Sequence, residues 1–288
     1  MPSWTKPTTL STGLPSSGIL RPEVQDALVQ RSRLEPSAEL TTWVEHYWTV
    51  GWDLADADAF RAEVVSHPSV HVTVESGTVP RFAHDLPVGL VHGVITRKFS
   101  VDISGSGRVF GVNFRPGGFG AFTGADVGAW TDRILPLSAA FGDQAQVLVE
   151  RVLAAPADDE RAAILDQVLL RRVPGHDARY EAVLAIVEDL RADPGLTTVD
   201  AVARRHGLSE RTLQRLFRRY VGVGPKWVLR RYRLHDAVDR IDGGDHDDLA
   251  GLAVGLGWFD QAHFTREFTA LVGQSPAAYA ARRDDQSP

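Results

Sequence analysis

The sequence predicts an α+β chain. A β-rich, sandwich- or barrel-like N-terminal domain with helices precedes an all-α domain holding two helix-turn-helix units. Three observations predict it. Between Leu40 and Phe122, short runs of aromatic and β-branched residues end repeatedly in Gly, Pro or Ser. From Leu137 onward, apolar residues recur at helical spacing. The last third contains an internal repeat offset by about fifty residues. A chain of 288 residues has room for about two domains. The expected layout is a flexible tail (1–20), the β-rich domain closing in a helical hairpin (21–172), a linker (173–176), the helical domain (177–283) and a short tail (284–288).

The first 18 residues are rich in Ser, Thr and Pro and lack an apolar stretch of the secretory type. The mixed polar segment from Arg21 to Leu40 predicts loop with one short helix, Pro22 to Gln30. TTWVEHYWTVGWDL alternates aromatic or β-branched residues with polar ones. VHVTVESG, VGLVHGVIT, KFSVDISGSG and RVFGVNFRPGGF each read as a short strand. Ser104-Gly-Ser-Gly107 reads as a hairpin turn between two of them. Such spacing suggests a sandwich or small barrel. LSAAFGDQAQVLVERVLAA and DDERAAILDQVLLRRV then read as two helices divided by Pro156. Val173-Pro-Gly-His176 is the expected linker. The helix after it, about Asp177 to Arg191, carries Val183, Ile186, Val187 and Leu190 on one face.

The stretch TVDAVARRHGLSERTLQRLFRRY, Thr198 to Tyr220, reads as two short helices joined by a tight turn. Gly207 supplies the turn and Ser209 stands where an N-cap belongs. Leu213, Leu216, Phe217 and Tyr220 recur at the period of a helix with one buried face. Its other face carries Arg211, Gln214, Arg215, Arg218 and Arg219. Downstream, Phe264-Thr-Arg266-Glu-Phe268 repeats Leu213-Gln-Arg215-Leu-Phe217, and Gly273 and Pro276 repeat Gly222 and Pro225. Ala253 and Gly257 match Ala203 and Gly207, with one extra residue in the second turn. A helix from Pro225 to about Ile241 joins the units. Two such units could set recognition helices into successive major grooves, about 34 Å apart.

The formal net charge of −6 is unusual for a chain that binds a polyanion, but the charge is unevenly placed. Thr197 to Leu234 holds ten basic and two acidic residues, a local +8; His235 to Asp285 holds four Arg against ten carboxylates, a local −6. Screening within about 10 Å makes the local value decisive for phosphate. The first unit is therefore the stronger reader, and the second can serve as structural support.

On these two stretches and their G-x-x-P endings, Asp177 to Arg283 resembles the DNA-binding domain of the AraC/XylS family of bacterial transcription regulators. The resemblance implies seven helices, with two helix-turn-helix units around a linker helix. It also implies a function: sequence-specific regulation, as activator or repressor, in the cytoplasm at the nucleoid. The implied DNA-binding residues are Arg211, Thr212, Gln214, Arg215, Arg218 and Arg219 in the first unit and Gln261, His263, Thr265 and Arg266 in the second. Arg211, Gln214 and Arg215 are placed for base edges, Arg218 and Arg219 for phosphates. The β-rich half resembles the sensor domains that precede this module, through GVNFRPGGF and Trp130-Thr-Asp-Arg-Ile134. Expected partners are double-stranded DNA, a small-molecule effector, a second copy of the chain as a homodimer, and RNA polymerase if the protein is an activator.

Other chemistries are weakly represented. The chain has no cysteine, so disulfides, thiolate catalysis and Cys-based zinc sites are excluded. No apolar run approaches the roughly 18 residues of a membrane span. His67, His71, His84 and His92 form neither an HxH nor an HExxH pair, so no metal or other cofactor is expected. Arg115, in Phe-Arg-Pro-Gly-Gly, could clamp an anionic ligand or pair with a carboxylate in a turn. Two alternatives stay open: a cupin-like metal enzyme, and a protein-interaction module with a degenerate helix-turn-helix domain.

Overall fold

The computed structural model describes residues 18–20, 22–54, 59–193, 195–246 and 248–284. The N-terminal half is built on a six-stranded antiparallel sheet. Its members are β1 (Val29–Leu34), β2 (Val44–Leu54), β4 (His71–Gly77), β5 (Val88–His92), β7 (Gly105–Phe114) and β8 (Ile134–Pro136), in the order β1-β2-β7-β4-β5-β8. A two-stranded ribbon of β3 (Phe60–Val65) and β6 (Lys98–Ile103) stacks on one face. Together they make the expected sandwich. α1 (Pro22–Leu28) leads directly into β1.

The alternation of each strand divides the sheet into two chemistries. Val72, Val74, Val91, Phe110 and Val112 face α4 (Gln144–Ala154) and α5 (Asp158–Leu170), where Leu148, Val152, Leu165 and Leu169 complete an apolar core. The opposite face carries His71, Thr73 and Glu75 of β4 and Trp48 and Trp52 of β2. Part of it is closed by the ribbon through Ala62, Val101 and Ile103.

The structure departs from the sequence reading at several points. β1, β3 and β8 are strands not foreseen. β1 is a polar edge strand paired on one side only, and β8 has three residues, so neither shows a buried period. The helix expected to Gln30 stops at Leu28 because Val29 enters register with Trp52. Residues 104–107 are not a hairpin turn. β6 pairs with β3, while β7 pairs with β2 and β4, so the chain changes sheet at Ser104. Gly105, at φ +60°, redirects it, and the Trp52 indole donates to the Ser104 carbonyl at 3.0 Å. Of the expected tail, residues 1–17 lie outside the described part, but 18–20 are built in. Ile19 bridges to Val64, and Leu20 is buried beside Val65.

Among the described residues, seven helices follow residues 173–177, which have no regular structure: α6 (Ala178–Ala192), α7 (Val199–Arg205), α8 (Glu210–Tyr220), α9 (Pro225–Gly243), α10 (Leu249–Gly255), α11 (Gln261–Val272) and α12 (Pro276–Asp284). α2 (Gly118–Thr123) and α3 (Ser138–Phe141) belong to the first half. The two helix-turn-helix units sit in separate cores. Val202, Leu213 and Phe217 join a core that runs unbroken into the N-terminal sheet. Leu252, Phe264, Phe268 and Tyr279 form a second core with Leu20, Val65 and the later part of α9.

Candidate nucleic-acid interface

The start of each recognition helix is fixed by its cap. The Ser209 hydroxyl accepts from the Thr212 N–H at 3.2 Å, and the Asp260 carboxylate accepts from the His263 N–H at 2.6 Å. The ends are set by glycine in the left-handed region, Gly222 at φ +93° and Gly273 at φ +88°. Pro225 and Pro276 then open α9 and α12. These are the positions read from the repeat.

α8 buries Leu213 and Phe217 completely, with Leu216 and Tyr220 beside them. Arg211, Gln214, Arg215 and Arg218 stand exposed on the other side, and none has a hydrogen-bond or ionic partner among the described residues. Most of the remaining cations in this basic segment are engaged. Arg204 pairs with Asp200 at 2.6 Å, and Arg205 bridges Asp193 at 2.6 Å and Asp189 at 3.1 Å. Arg230 pairs with Glu267 at 2.6 Å, and Arg233 donates to the Gly257 carbonyl. Arg231 is 3% exposed, donates to the carbonyls of Ser66 and Thr96, and is pushed down to about 10 by burial. The unpaired cations of Thr197 to Leu234 are therefore Arg211, Arg215 and Arg218 on α8 and Lys226 at the start of α9. This is a compact positive surface inside an acidic chain.

Arg219 departs from its expected place beside the phosphate contacts. Its guanidinium donates to the carbonyls of Gly124 (2.6 Å) and Ala125, so it ties the end of α8 to the N-terminal half. Thr212 is half-buried, its hydroxyl 2.9 Å from that of Ser209.

On α11, Gln261 and Arg266 are exposed, and Thr265 is half-buried. His263 is held 3.1 Å from Glu267, which also accepts from the Trp258 indole and pairs with Arg230. Burial pushes the Glu267 carboxyl up, but these three partners outweigh it and leave it below the usual range. This carboxylate holds the second unit against α9 and cancels part of its charge.

Arg115 faces two carboxylates, Glu45 at 3.9 Å and Glu188 at 3.7 Å, the latter on α6. The geometry agrees with the ion-paired alternative. Arg191 joins the same group through Glu45 at 3.2 Å.

A further polar cluster, not singled out in the sequence, lies on the ribbon-facing side of the sheet. Glu75 is 1% exposed. It pairs with Arg81 at 2.8 Å and accepts from the Thr73 hydroxyl at 2.8 Å, with His92 at 3.4 Å. Burial raises its carboxyl, but His92, Arg81 and Thr73 overcome this and leave it lowered. Trp52, Phe82 and Phe99 wall the cluster. Arg81 Nη1 is buried with no hydrogen-bond partner. The neighbouring Phe82 and Ala83 hold φ of +51° and +61°, a conformation that side chains with a Cβ seldom adopt. The signal in the sequence was a charged residue at an inward position of VHVTVESG. Of the histidines, His71 and His92 are opposite one another in register, while His67 stacks on His235 at 3.9 Å. Among the described residues no group of three or more His, Asp or Glu is placed to hold a metal ion.

Comparison with known proteins bears on both halves. Residues 202–282 match the family described as a helix-turn-helix domain, and residues 32–136 match a Domain of unknown function (DUF6597). The HTH-type transcriptional activator RhaS of Escherichia fergusonii is 32% identical over 122 residues, covering 42% of this chain and 43% of that protein. RhaS of Salmonella typhimurium is 32% identical over 148 residues, 48% of this chain and 52% of the relative.

The C-terminal part of the chain is an AraC-type helix-turn-helix domain.

The chain spans about half the length, or less, of these curated relatives. Among solved structures, the DNA-binding domain of AdpA, determined with a target DNA, is 28% identical and aligns over 39% of this chain and all of that one, at a TM-score of 0.32. ToxT from Vibrio cholerae O395 is 10% identical over 82% of this chain and 97% of that one, at a TM-score of 0.42. In the AraC-type domain, α8 and α11 are the second helices of the two units. No helix among the described residues is long and apolar enough to cross a membrane.

Proposed function

We propose that this chain is a sequence-specific DNA-binding transcription regulator whose AraC-type domain reads a duplex mainly through α8. One observation carries the reading. Arg211, Gln214, Arg215 and Arg218 are exposed and unpaired on a helix whose opposite face is buried and whose start is capped. A helix so held offers Arg to guanine, Gln to adenine and further Arg to phosphate. Gln261, Thr265 and Arg266 form the outward face of the second reader. His263 and Arg219 support the helices that carry these groups, and Thr212 stays with its cap. The working place is the cytoplasm, at the nucleoid; a homodimer, and RNA polymerase for an activator, are the protein partners.

We infer that the N-terminal domain holds a small-molecule effector at the face around Glu75, Arg81 and His92. A buried ion pair, aromatic walls and a strained loop favour this face over Arg115, which is flanked by Glu45 and Glu188. Binding would shift the equilibrium between states of different DNA affinity, by no more than the effector's own preference between them.

The test is selection of genomic fragments by the purified protein, followed by retardation at several salt concentrations. The expected result is one enriched sequence, bound with an affinity that falls steeply with salt. Equal binding to all fragments, or none at low salt, would refute the reading.

A further inference from the structure

The two units differ at one inserted residue, and the structure shows where it goes. In the first turn, the Leu208 N–H donates to the Ala203 carbonyl at 2.9 Å; in the second, the Trp258 N–H donates to Ala253 in the same way at 2.9 Å. Leu208 and Trp258 are thus equivalent. The N-caps Ser209 and Asp260 are also equivalent. The extra residue is Phe259, and it is 88% exposed. Trp258 fills the interior place, 3% exposed and packed on Phe264, so Phe259 has no room inside.

The outward face of α11 differs from that of α8 in a consistent way. Arg211, Gln214 and Arg218 correspond to Ala262, Thr265 and Thr269; only Arg215 keeps its charge, as Arg266. Long polar groups are replaced by methyl groups, beside an exposed aromatic ring at the start of the helix. In the major groove the apolar feature of a base edge is the C5 methyl of thymine, the partner for Ala, Thr methyl and Phe.

We propose that the second unit reads thymine methyl groups, with Phe259 as its main contact and Ala262 and Thr265 beside it. This rests on the DNA-binding reading above. The acidic second unit is then a specificity element that adds little to phosphate attraction.

The test uses the full chain and its selected duplex, with the thymines of one half-site at a time replaced by deoxyuridine. Removing each contacted methyl from the half-site of the second unit should weaken binding about fourfold. The same replacement in the other half-site should change little. Phe259→Ala should bind the thymine duplex more weakly and lose most of the difference between thymine and deoxyuridine. Phe259→Leu should retain part of it. Because the side chain is exposed, neither variant threatens folding. If the wild type binds both duplexes equally, or if Phe259→Ala keeps the full difference, the proposal is overturned while the regulator reading stands. Retardation of no duplex at all overturns both.

Discussion

Arg215 and Arg81 show how far surroundings decide what one residue type does. Arg215 is exposed, unpaired and held on a capped helix. Arg215→Ala is expected to cost about 1–3 kcal/mol at one base step and to relax specificity there. A panel of single-base operator variants measures this; a uniform loss across all positions would make Arg215 a phosphate contact. Arg81 is buried against Glu75 beneath Trp52. Arg81→Ala leaves that buried carboxylate with only Thr73 and His92 beside it, so it should destabilise the fold by up to about 3 kcal/mol in denaturant titration. Periodicity could place Arg215 on an outward face. It could not pair Arg81 with Glu75, because their contact depends on how a loop folds back over a sheet.

At the level of elements, α8 is both a reading helix and a joint. Its first turns point residues outward, and its end is fastened to the N-terminal half. Arg219 donates to Gly124 and Ala125, and the Thr131 hydroxyl donates to the Gly222 carbonyl at 2.8 Å. Neighbouring arginines should therefore respond differently. Arg218→Ala should lower the slope of log affinity against log salt by about 1, as for a lost phosphate contact. Arg219→Ala should leave that slope unchanged and cost about 1–3 kcal/mol of stability, through the two carbonyls it abandons. Equal changes of slope in both would place Arg219 on DNA. The Ser209 cap, and the turn glycines and buried faces of both units, were legible in the sequence because they depend on neighbours within a few residues. The strands β1, β3 and β8 were not, because their partners lie elsewhere in the chain.

Across the whole molecule, the two halves meet through buried groups that must stay neutral or be satisfied. His235 on α9 stacks on His67 at 3.9 Å, and Arg231 donates to Ser66 and Thr96. Burial first, then the charges of His67 and Arg231, pushes His235 well below its ordinary value; the Ser66 backbone acts the other way, and Arg191 adds a smaller lowering. Burial likewise lowers His46 to about 4 and His71 to about 3. The sign follows. The unfolded chain takes up protons near pH 6.5 and the folded chain does not, so stability is complete above about 6.5 and declines as the pH falls toward the lowered values. Denaturation midpoints should drop between pH 7 and pH 5, and His235→Phe should flatten part of that drop. A midpoint that holds steady over this range would contradict a neutral, buried His235.

The sequence by itself determined the two helix-turn-helix units, the Ser209 cap and the glycine and proline breaks, the outward Arg and Gln of α8, and the sandwich character of the first half. Each is written in short-range periodicity or in a repeat, which the chain carries whatever it packs against. Only the tertiary structure decided which arginines remain unpaired, that Arg219 faces protein, that Ser104 turns between sheets, and that Phe259 is left outside while Trp258 goes in. Those outcomes depend on groups far apart in sequence competing for the same carboxylate, carbonyl or interior space, and no local pattern records which of them prevails.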